Sequence, residues 1–355
     1  MLPYVFVFIF LFLFTLYEQF FRLDKCTSLY IYVLFSIFII LFVGFRQCGF
    51  DYENYYIYFK HLNSVHWENN SDVLGAERGY AFLNYLIGDY RGLLLCMSLV
   101  TVSLIFSFFY KYSPAVYFSL FLFFAVSFYP MVMGQYRQGL AVAIILWAFI
   151  VKKRSIALFL LLVFIASLFH LSAFLAVMAL LVPSSLLKRK YYILILLSAF
   201  LFSEFGKTFF YNVVWGGSDF IVRKVAIYAE SEADLRLGLN TAMLLRVVIF
   251  CIFYINRKRI VSYPQGAYFL NLYFVSLLVY LGLGFFPQLA GRGSSYFYLF
   301  EFILAAMVIR NLPVKRRLFF LLLFVCISLY RYHTFLISGF EDYVPYSWGI
   351  SYFKL

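Results

Sequence analysis

The side chains of this sequence that could do chemistry are arginines, carboxylates and tyrosines near the ends of apolar segments. Ionisable groups are costly inside a membrane unless they are paired or hydrated, so each is a functional candidate. Aromatic rings stack on sugar faces, and arginines neutralise a phosphate leaving group. Together these residue types suit a substrate that joins a lipid, a phosphate and a sugar.

The first cluster runs from Arg46 to Tyr55. It combines a cation, a turn glycine, the carboxylates of Asp51 and Glu53, and tyrosines that include Tyr52. An interfacial anchor followed by a polar loop is the alternative interpretation.

A second cluster contains Glu77, Arg78, Gly79 and Tyr80, with Asn84 one helical turn later. It supplies a carboxylate and hydrogen-bonding groups ahead of an amphipathic segment. A plain helix start, with an acid in the first turn complementing the helix dipole, explains the same residues.

Arg137 and Gln138 follow Pro130 and Gly134, where two apolar segments form a tight hairpin. An arginine placed there can point into a cavity as a bidentate ligand for phosphate or pyrophosphate. The alternative is that its side chain extends to the lipid headgroups.

Two later positions are further candidates. His170 lies between apolar runs with Ser172 as its polar neighbour, a setting typical of an interhelical hydrogen bond as well as of a catalyst. Arg292 lies between two glycines after Pro287, which permits close approach of a phosphate to the backbone. Weaker versions of the same idea are Arg223, Arg246 and Arg331.

Motifs for other chemistries do not occur in the sequence. It has no Walker loop, no His-Glu-x-x-His, no nucleophile elbow and no Asp-x-Asp pair. Use of nucleoside triphosphates, zinc hydrolysis and metal-dependent transfer from nucleotide sugars therefore have no support. We predict no cofactor and no metal site.

These residues must be positioned by membrane helices. Of the 355 residues, 65% are hydrophobic and 13% charged, which excludes a soluble enzyme, a nucleic-acid binder and a disordered scaffold. At about 20 apolar residues per crossing, roughly eleven or twelve helices fit. Twelve spans are predicted: 2–17, 28–45, 92–110, 115–130, 134–151, 155–169, 171–182, 191–206, 238–255, 264–285, 296–312 and 318–337.

Basic clusters account for the net charge of +13. They lie between spans, and the positive-inside rule places them in the cytoplasm, where anionic lipids suffice as partners and no nucleic acid is required. The clusters begin at Lys152, Lys188, Arg257 and Lys315. The N-terminal apolar run lacks the features of a cleaved signal peptide and is predicted to stay as the first helix.

Alternation from the basic clusters places two long loops, 46–91 and 207–237, and both termini on the outer side. Apolar spacing within 79–90 and after Trp215 predicts short amphipathic helices in these loops. We find no internal repeat and treat 1–355 as one transmembrane domain. The five cysteines show no paired spacing, so no disulfide is predicted.

As a set, these motifs resemble the EpsG-like branch of the Wzy-type polysaccharide polymerases. The resemblance extends from about 46 to 301, and the closing Tyr343-x-Pro345-Tyr346 also fits. The motifs that carry it are Arg46-x-x-Gly49-x-Asp51-Tyr52-x-x-Tyr55, Glu77-x-Gly79-Tyr80-x-x-x-Asn84, Arg137-Gln138-x-x-Ala141, Phe169-His170-x-Ser172-Ala173 and Arg292.

The resemblance implies a GT-C-like helical glycosyltransferase of the bacterial inner membrane, active on the periplasmic side. Such enzymes move a growing glycan from one undecaprenyl pyrophosphate onto a repeat unit carried by another, beside a flippase and a chain-length regulator. It implies that arginines 46, 137 and 292 bind pyrophosphate. Candidate bases are Asp51, the first choice, then Glu77 and His170.

Two other classes stay open. A flippase of lipid-linked oligosaccharides would need cations at mid-membrane depth in both halves, and it would not need carboxylates at the outer surface. A membrane O-acyltransferase would use His170 as its base on an acyl donor. It would need this histidine near a cytoplasmic donor entry, or paired with an arginine motif at the start of the chain, and we see neither.

Overall fold

A computed structural model describes residues 2–21, 24–64, 77–214 and 240–348. Within these ranges the regular structure is helical, and two residues, Arg46 and Trp348, form an isolated antiparallel bridge. In chain order the helices are α1 (Leu2–Phe20), α2 (Lys25–Gly44), α3 (Tyr52–Ser64), α4 (Arg78–Ile87), α5 (Tyr90–Tyr112), α6 (Val116–Phe123), a π-helix (Phe124–Gly134), α7 (Tyr136–Val151), α8 (Ile156–Ser167), a 3₁₀ helix (Leu171–Leu181), α9 (Arg189–Val214), α10 (Thr241–Ile255), α11 (Arg257–Val261), α12 (Gly266–Gly282), α13 (Pro287–Tyr298), α14 (Phe300–Arg310), α15 (Val314–Ser338) and α16 (Phe340–Tyr343).

Several helices follow a polar residue whose side-chain oxygen accepts a hydrogen bond from an N–H group in the first turn of the helix. The carboxylate of Asp24 accepts a bond from Thr27 N at 2.9 Å, and that of Asp89 accepts one from Gly92 N at 2.7 Å. Asn240 caps α10 in the same way. The first N–H groups of a helix have no partner inside it, so polar residues between apolar runs set where these helices start.

The chain is an all-α polytopic membrane protein, as its composition predicts. Among the described residues five helices are long and apolar enough to cross a membrane, and α13 with α14 is a further candidate, bent by 41°. Five shorter apolar helices accompany them. Each of the twelve predicted spans overlaps a helical segment, but several are shorter than a bilayer requires, so the number of crossings stays a prediction.

Contacts divide the chain into two compact units, Met1–Phe174 with Ala305–Leu355, and Leu175–Leu304. In the first unit, α1 packs against α6, α2 against α5, and α7 against both α5 and α8. In the second, α12 is buried along nearly its whole length and contacts α9, α10 and α13. The apolar residues on all sides of α12 are explained by this central position.

One end of the first unit joins segments that are distant in sequence. Gln47 N donates to Ser347 O at 3.0 Å, and Gly49 N to Asp342 O at 2.8 Å. The hydroxyl of Tyr4 donates to Tyr343 O at 2.7 Å. This end, which we call the Arg46 end, thus contains the start of α1, the loop after α2 and the segment after α15.

The opposite end of the first unit is tied through the end of α1. The half-buried carboxylate of Glu18 accepts bonds from the main-chain N–H groups of Val116 and Phe118, in the first turn of α6. Arg310 donates to Glu18 O and Arg317 to Gln19 O. Loops predicted on one side by the basic clusters therefore meet at one end.

The predicted amphipathic helix in loop 46–91 is present as α4. Tyr80, Ala81 and Asn84 form its buried side, and Leu86 is 65% exposed. The exposed side also carries two large rings, Phe82 and Tyr85. The predicted helix after Trp215 lies outside the described residues, and the bounds of both long loops stay predictions.

Candidate active site

An ion pair between two predicted site residues lies at the centre of the candidate site. Arg137, in the first turn of α7, places Nη1 2.8 Å from Oε2 of Glu77, the residue before α4. Glu77 occupies the N-cap position but makes no side-chain cap bond. Its position agrees with the helix-start interpretation, and its carboxylate in addition pairs with Arg137.

Three tyrosine rings surround the Arg137 guanidinium. Its carbon lies 4.9 Å from the ring centre of Tyr55, 5.0 Å from that of Tyr80 and 5.9 Å from that of Tyr58. Cation–π contacts of this kind grow stronger away from water. They bind the faces of the guanidinium, and its Nε is buried without a hydrogen-bond partner among the described residues. The guanidinium is thus held in place by the rings and the ion pair.

The rings around Arg137 are fixed by a second layer of polar contacts. The Tyr80 hydroxyl lies 2.6 Å from that of Tyr136, and the Tyr136 ring packs 4.3 Å from Tyr55. Burial raises the pKa of Tyr80 to about 12, so its hydroxyl keeps its proton at neutral pH. Asn84, fully buried, donates to Tyr80 O, while its own Oδ1 lacks a described partner.

A close approach of two chain segments joins α4 to the break after α8. Gly79 N donates to Leu168 O at 2.9 Å, and a Cβ at Gly79 would lie 2.7 Å from Leu168 Cβ. Leu171 N points at Glu77 Oε1 across 3.4 Å. The segment that contains His170 therefore packs directly on the Glu77 segment.

His170 itself lies at the break between α8 and the 3₁₀ helix. Its Nδ1 lies 2.7 Å from Ser172 Oγ, the polar neighbour expected from the sequence. A catalytic role for His170 stays a prediction.

Asp51 lies one helical turn before Tyr55, whose ring faces Arg137. Its carbonyl accepts the bond from Tyr55 N at the start of α3. Residues four apart share one face of a helix, so Asp51 is on the Tyr55 side of α3. Its half-buried carboxylate makes no hydrogen bond within the described part of the chain. The main-chain carbonyl of Tyr52, on the same turn, accepts a hydrogen bond from the Tyr90 hydroxyl.

Arg46 is 2% exposed, and its hydrogen bonds go to the main chain. Nε and Nη2 donate to Met133 O at 3.1 and 2.8 Å, and Nη1 donates to Val43 O at 2.6 Å. Met133 lies in the last turn of the π-helix, where main-chain carbonyls have no partner within the helix. These contacts indicate a structural role, and pyrophosphate binding by Arg46 stays a prediction.

The remaining predicted site residues are Gln138 and Arg292. Gln138 is buried beside Arg137 on α7. Arg292 belongs to the second unit, in the second turn of α13, whose first residue is Pro287 as the sequence suggested. The structure therefore brings together Glu77, Tyr80, Asn84, Arg137, Tyr55 and the His170 segment.

Sequence reasoning missed two tyrosines of the site. Tyr58 follows Tyr55 by three positions on α3, and Tyr136 directly precedes Arg137. The helical spacing was a usable signal for Tyr58. No local signal exists for Tyr136, because its role depends on contacts with α3 and α4.

Comparison with known proteins gives one family. The sequence matches the EpsG family over residues 29–348, which is most of the chain. No curated protein and no solved structure shows significant similarity to it. The match includes both long loops and all the site residues described above.

Proposed function

Because the chain belongs to the EpsG family, a family of polysaccharide-polymerase-like membrane proteins, we propose that it is a glycosyltransferase that polymerises a surface polysaccharide such as O-antigen. It moves the growing glycan from undecaprenyl pyrophosphate onto an incoming repeat unit that is carried by a second undecaprenyl pyrophosphate. The reaction takes place on the periplasmic side of the bacterial inner membrane. The observation that carries this proposal is the Arg137 guanidinium held among tyrosine rings beside a carboxylate.

The proposed reaction is one displacement at the anomeric carbon of the donor. A carboxylate removes the proton from an acceptor hydroxyl, the oxygen forms the new glycosidic bond, and the bond to the pyrophosphate oxygen breaks. Asp51 is the proposed base because its carboxylate has no hydrogen bond to another described residue and it lies a turn from Tyr55. The pyrophosphate departs with its electron pair and with no metal ion.

Arg137 is the proposed ligand of that pyrophosphate. Negative charge increases on the bridging oxygen as the bond breaks, and a fixed cation in a low-dielectric site stabilises that charge. Glu77 acts as a positioning residue that holds the guanidinium through its 2.8 Å ion pair. The surrounding tyrosines supply ring faces for sugar contacts.

A gel of surface polysaccharide tests the proposal. We compare the source strain with a strain that lacks this gene, complemented by wild type, by Arg137→Ala or by Arg154→Ala. Arg154 is exposed in a predicted cytoplasmic cluster and is the matched control. We expect the deletion and Arg137→Ala to reduce a ladder of chain lengths to single units, while Arg154→Ala restores the ladder.

Other outcomes oppose the proposal. Loss of all repeat units, single ones included, would indicate failure of flipping and favour the flippase alternative. An unchanged ladder in the deletion strain would end the polymerase interpretation for that polysaccharide. Membrane content of each variant is measured by immunoblot, so that loss of protein is not mistaken for loss of activity.

A further inference from the structure

The second unit contains another arginine enclosed by tyrosine rings, Arg246. Its guanidinium carbon lies 4.1 Å from the ring centre of Tyr280 and 4.5 Å from that of Tyr298. Nη1 donates to Ser294 Oγ at 3.1 Å. Ring contacts use the faces of the planar group, whereas its N–H groups point outward in the plane. Most of the donors of Arg246 are therefore not used by these contacts.

Glu77 neutralises the charge of Arg137 through an ion pair. Arg246 differs in this respect. No carboxylate lies within ion-pair distance of Arg246 in the ranges that the structure describes. None of the Arg246 nitrogens is both buried and without a hydrogen-bond partner. The N–H groups that are not bonded to Ser294 are therefore accessible. An accessible cation in apolar surroundings is stabilised by an anion.

A buried carboxylate in the same cluster is held by other groups. Glu301 is 4% exposed, and its Oε2 accepts from the Tyr273 hydroxyl at 2.6 Å. The Tyr298 hydroxyl lies 3.4 Å from Oε1. Tyr298 thus contacts Glu301 with its hydroxyl and Arg246 with its ring. The two tyrosines hold the carboxylate and leave the arginine for another partner.

The cluster lies near one end of its helices. Arg246 is in the second turn of α10, about 8 Å along the axis from the first residue. Tyr280 is in the last turn of α12, and Asn240, the cap of α10, donates to the Tyr280 hydroxyl across 3.4 Å. Because α10 follows the predicted outer loop 207–237, this depth is within reach of a phosphate in the outer leaflet.

We propose that Arg246 binds a phosphoryl group of a polyprenyl pyrophosphate, with Tyr280 and Tyr298 fixing the guanidinium. This inference rests on the proposed function, which needs two lipid pyrophosphates, one on the donor and one on the acceptor. Arg137 then accounts for one of them and Arg246 for the other.

The test measures binding of farnesyl pyrophosphate to the full chain in nanodiscs of zwitterionic lipid. An Arg137→Ala background removes the first site, so that the remaining binding reports the second. There we expect Arg246→Gln to weaken binding at least about tenfold, since charge-assisted bonds to phosphate are lost. Arg246→Lys should keep part of it. Arg257→Gln, which removes another tyrosine-contacting arginine from the cytoplasmic cluster after α10, should change nothing.

Two further probes identify the source of the phosphoryl group. Inorganic pyrophosphate should compete with farnesyl pyrophosphate, and farnesol should not. If phosphatidylglycerol in the nanodisc displaces the probe from the Arg246 site instead, the site is one for ordinary lipid headgroups and the inference is wrong. Equal binding by Arg246→Gln and its parent, or no remaining binding in the Arg137→Ala background, overturns it as well.

Failure of this inference is separable from failure of the proposed function. Unchanged binding by Arg246→Gln, with the ladder still lost on gene deletion, removes only the second site. A ladder that survives deletion removes the polymerase proposal, whatever farnesyl pyrophosphate does. Arg246→Lys keeps the charge and the stem, so it serves as the folded comparison if Arg246→Gln is unstable by gel filtration.

Discussion

Arg137 and Glu77 are 60 positions apart in the chain and meet at 2.8 Å between Nη1 and Oε2. One residue lies in the first turn of α7 and the other directly precedes α4, so the pair joins these two helices. Both side chains are largely buried, 17% and 12% exposed. Removing one member of such a pair leaves a charge without a counter-ion, which is more costly than losing the interaction itself.

Arg137→Lys should therefore fold but lose most of its polymerising activity. Lysine keeps the charge but cannot bind a phosphate bidentately or stack a planar group on Tyr55 and Tyr80. We expect a drop of about tenfold or more in chain extension, from the loss of one or two kcal/mol of such contacts. Repeat-unit incorporation in membranes, normalised to the amount of protein, measures it. Full activity would show that only charge is required.

Asp51 and Glu77 should differ when each carboxylate is replaced by its amide. Asp51→Asn removes the proposed base and should abolish extension, because an amide does not accept a proton at neutral pH. Glu77→Gln keeps an acceptor for Arg137 and should retain about a tenth of the activity or more. The reverse order of severity would make Glu77 the base.

Gly79→Ala should destabilise the protein although alanine favours helices. The added Cβ would meet Leu168 Cβ at 2.7 Å and its carbonyl oxygen at 2.8 Å. Overpacking of this kind costs about 1–3 kcal/mol. Gly282→Ala is the control, since its nearest neighbours lie at 3.9 Å. We expect a lower midpoint of thermal unfolding in detergent for Gly79→Ala alone, and equal midpoints would contradict the close approach.

Arg46→Gln should lower the stability of the protein and leave the KM of the folded protein unchanged. The change removes donors to Met133 O and Val43 O inside a buried region, at a cost of about 2–4 kcal/mol. Thermal unfolding in detergent should show the loss, and the KM for the lipid-linked substrate should stay unchanged in the protein that remains folded. A normal unfolding midpoint with a raised KM would restore the pyrophosphate-binding interpretation of Arg46.

Tyr80→Phe should reduce the alkaline loss of stability. The folded state holds the Tyr80 proton up to a pKa of about 12, whereas the unfolded chain releases it near 10.0. Its contribution to stability is therefore complete below pH 10 and is lost as the pH rises towards 12. Midpoints of unfolding between pH 8 and 11.5 should fall less steeply for Tyr80→Phe than for wild type. Parallel curves would show that Tyr80 titrates normally.

Periodicity and charge predicted the long apolar helices and part of the grouping of the loops. Apolar runs marked these helices but not α3, and the basic cluster that begins at Lys315 contains Arg317, which the structure joins to the end of α1. The π-helix at Phe124–Gly134 was not predicted, because its wider turn depends on packing around Pro130 and not on a sequence period.

For the site, residue type indicated the members but not their partners. Arg137 and Glu77 are each candidates because they carry charge at the edge of an apolar run, and nothing in the sequence connects them. Arg46 is a candidate on the same grounds, yet its donors go to main-chain carbonyls. Pairing depends on tertiary contacts, so a cation that binds substrate and one that supports a loop look alike in sequence.

The first unit is made of two stretches of chain separated by the whole of the second, and this fixes the order in which a ribosome can complete it. Synthesis of residues 175–304 takes on the order of ten seconds. During that interval Gln47 and Gly49 lack the carbonyls of Ser347 and Asp342, and the isolated bridge to Trp348 has not formed. A nascent chain stalled in α14 would hold Arg137 and Glu77 but not the segment that closes the Arg46 end.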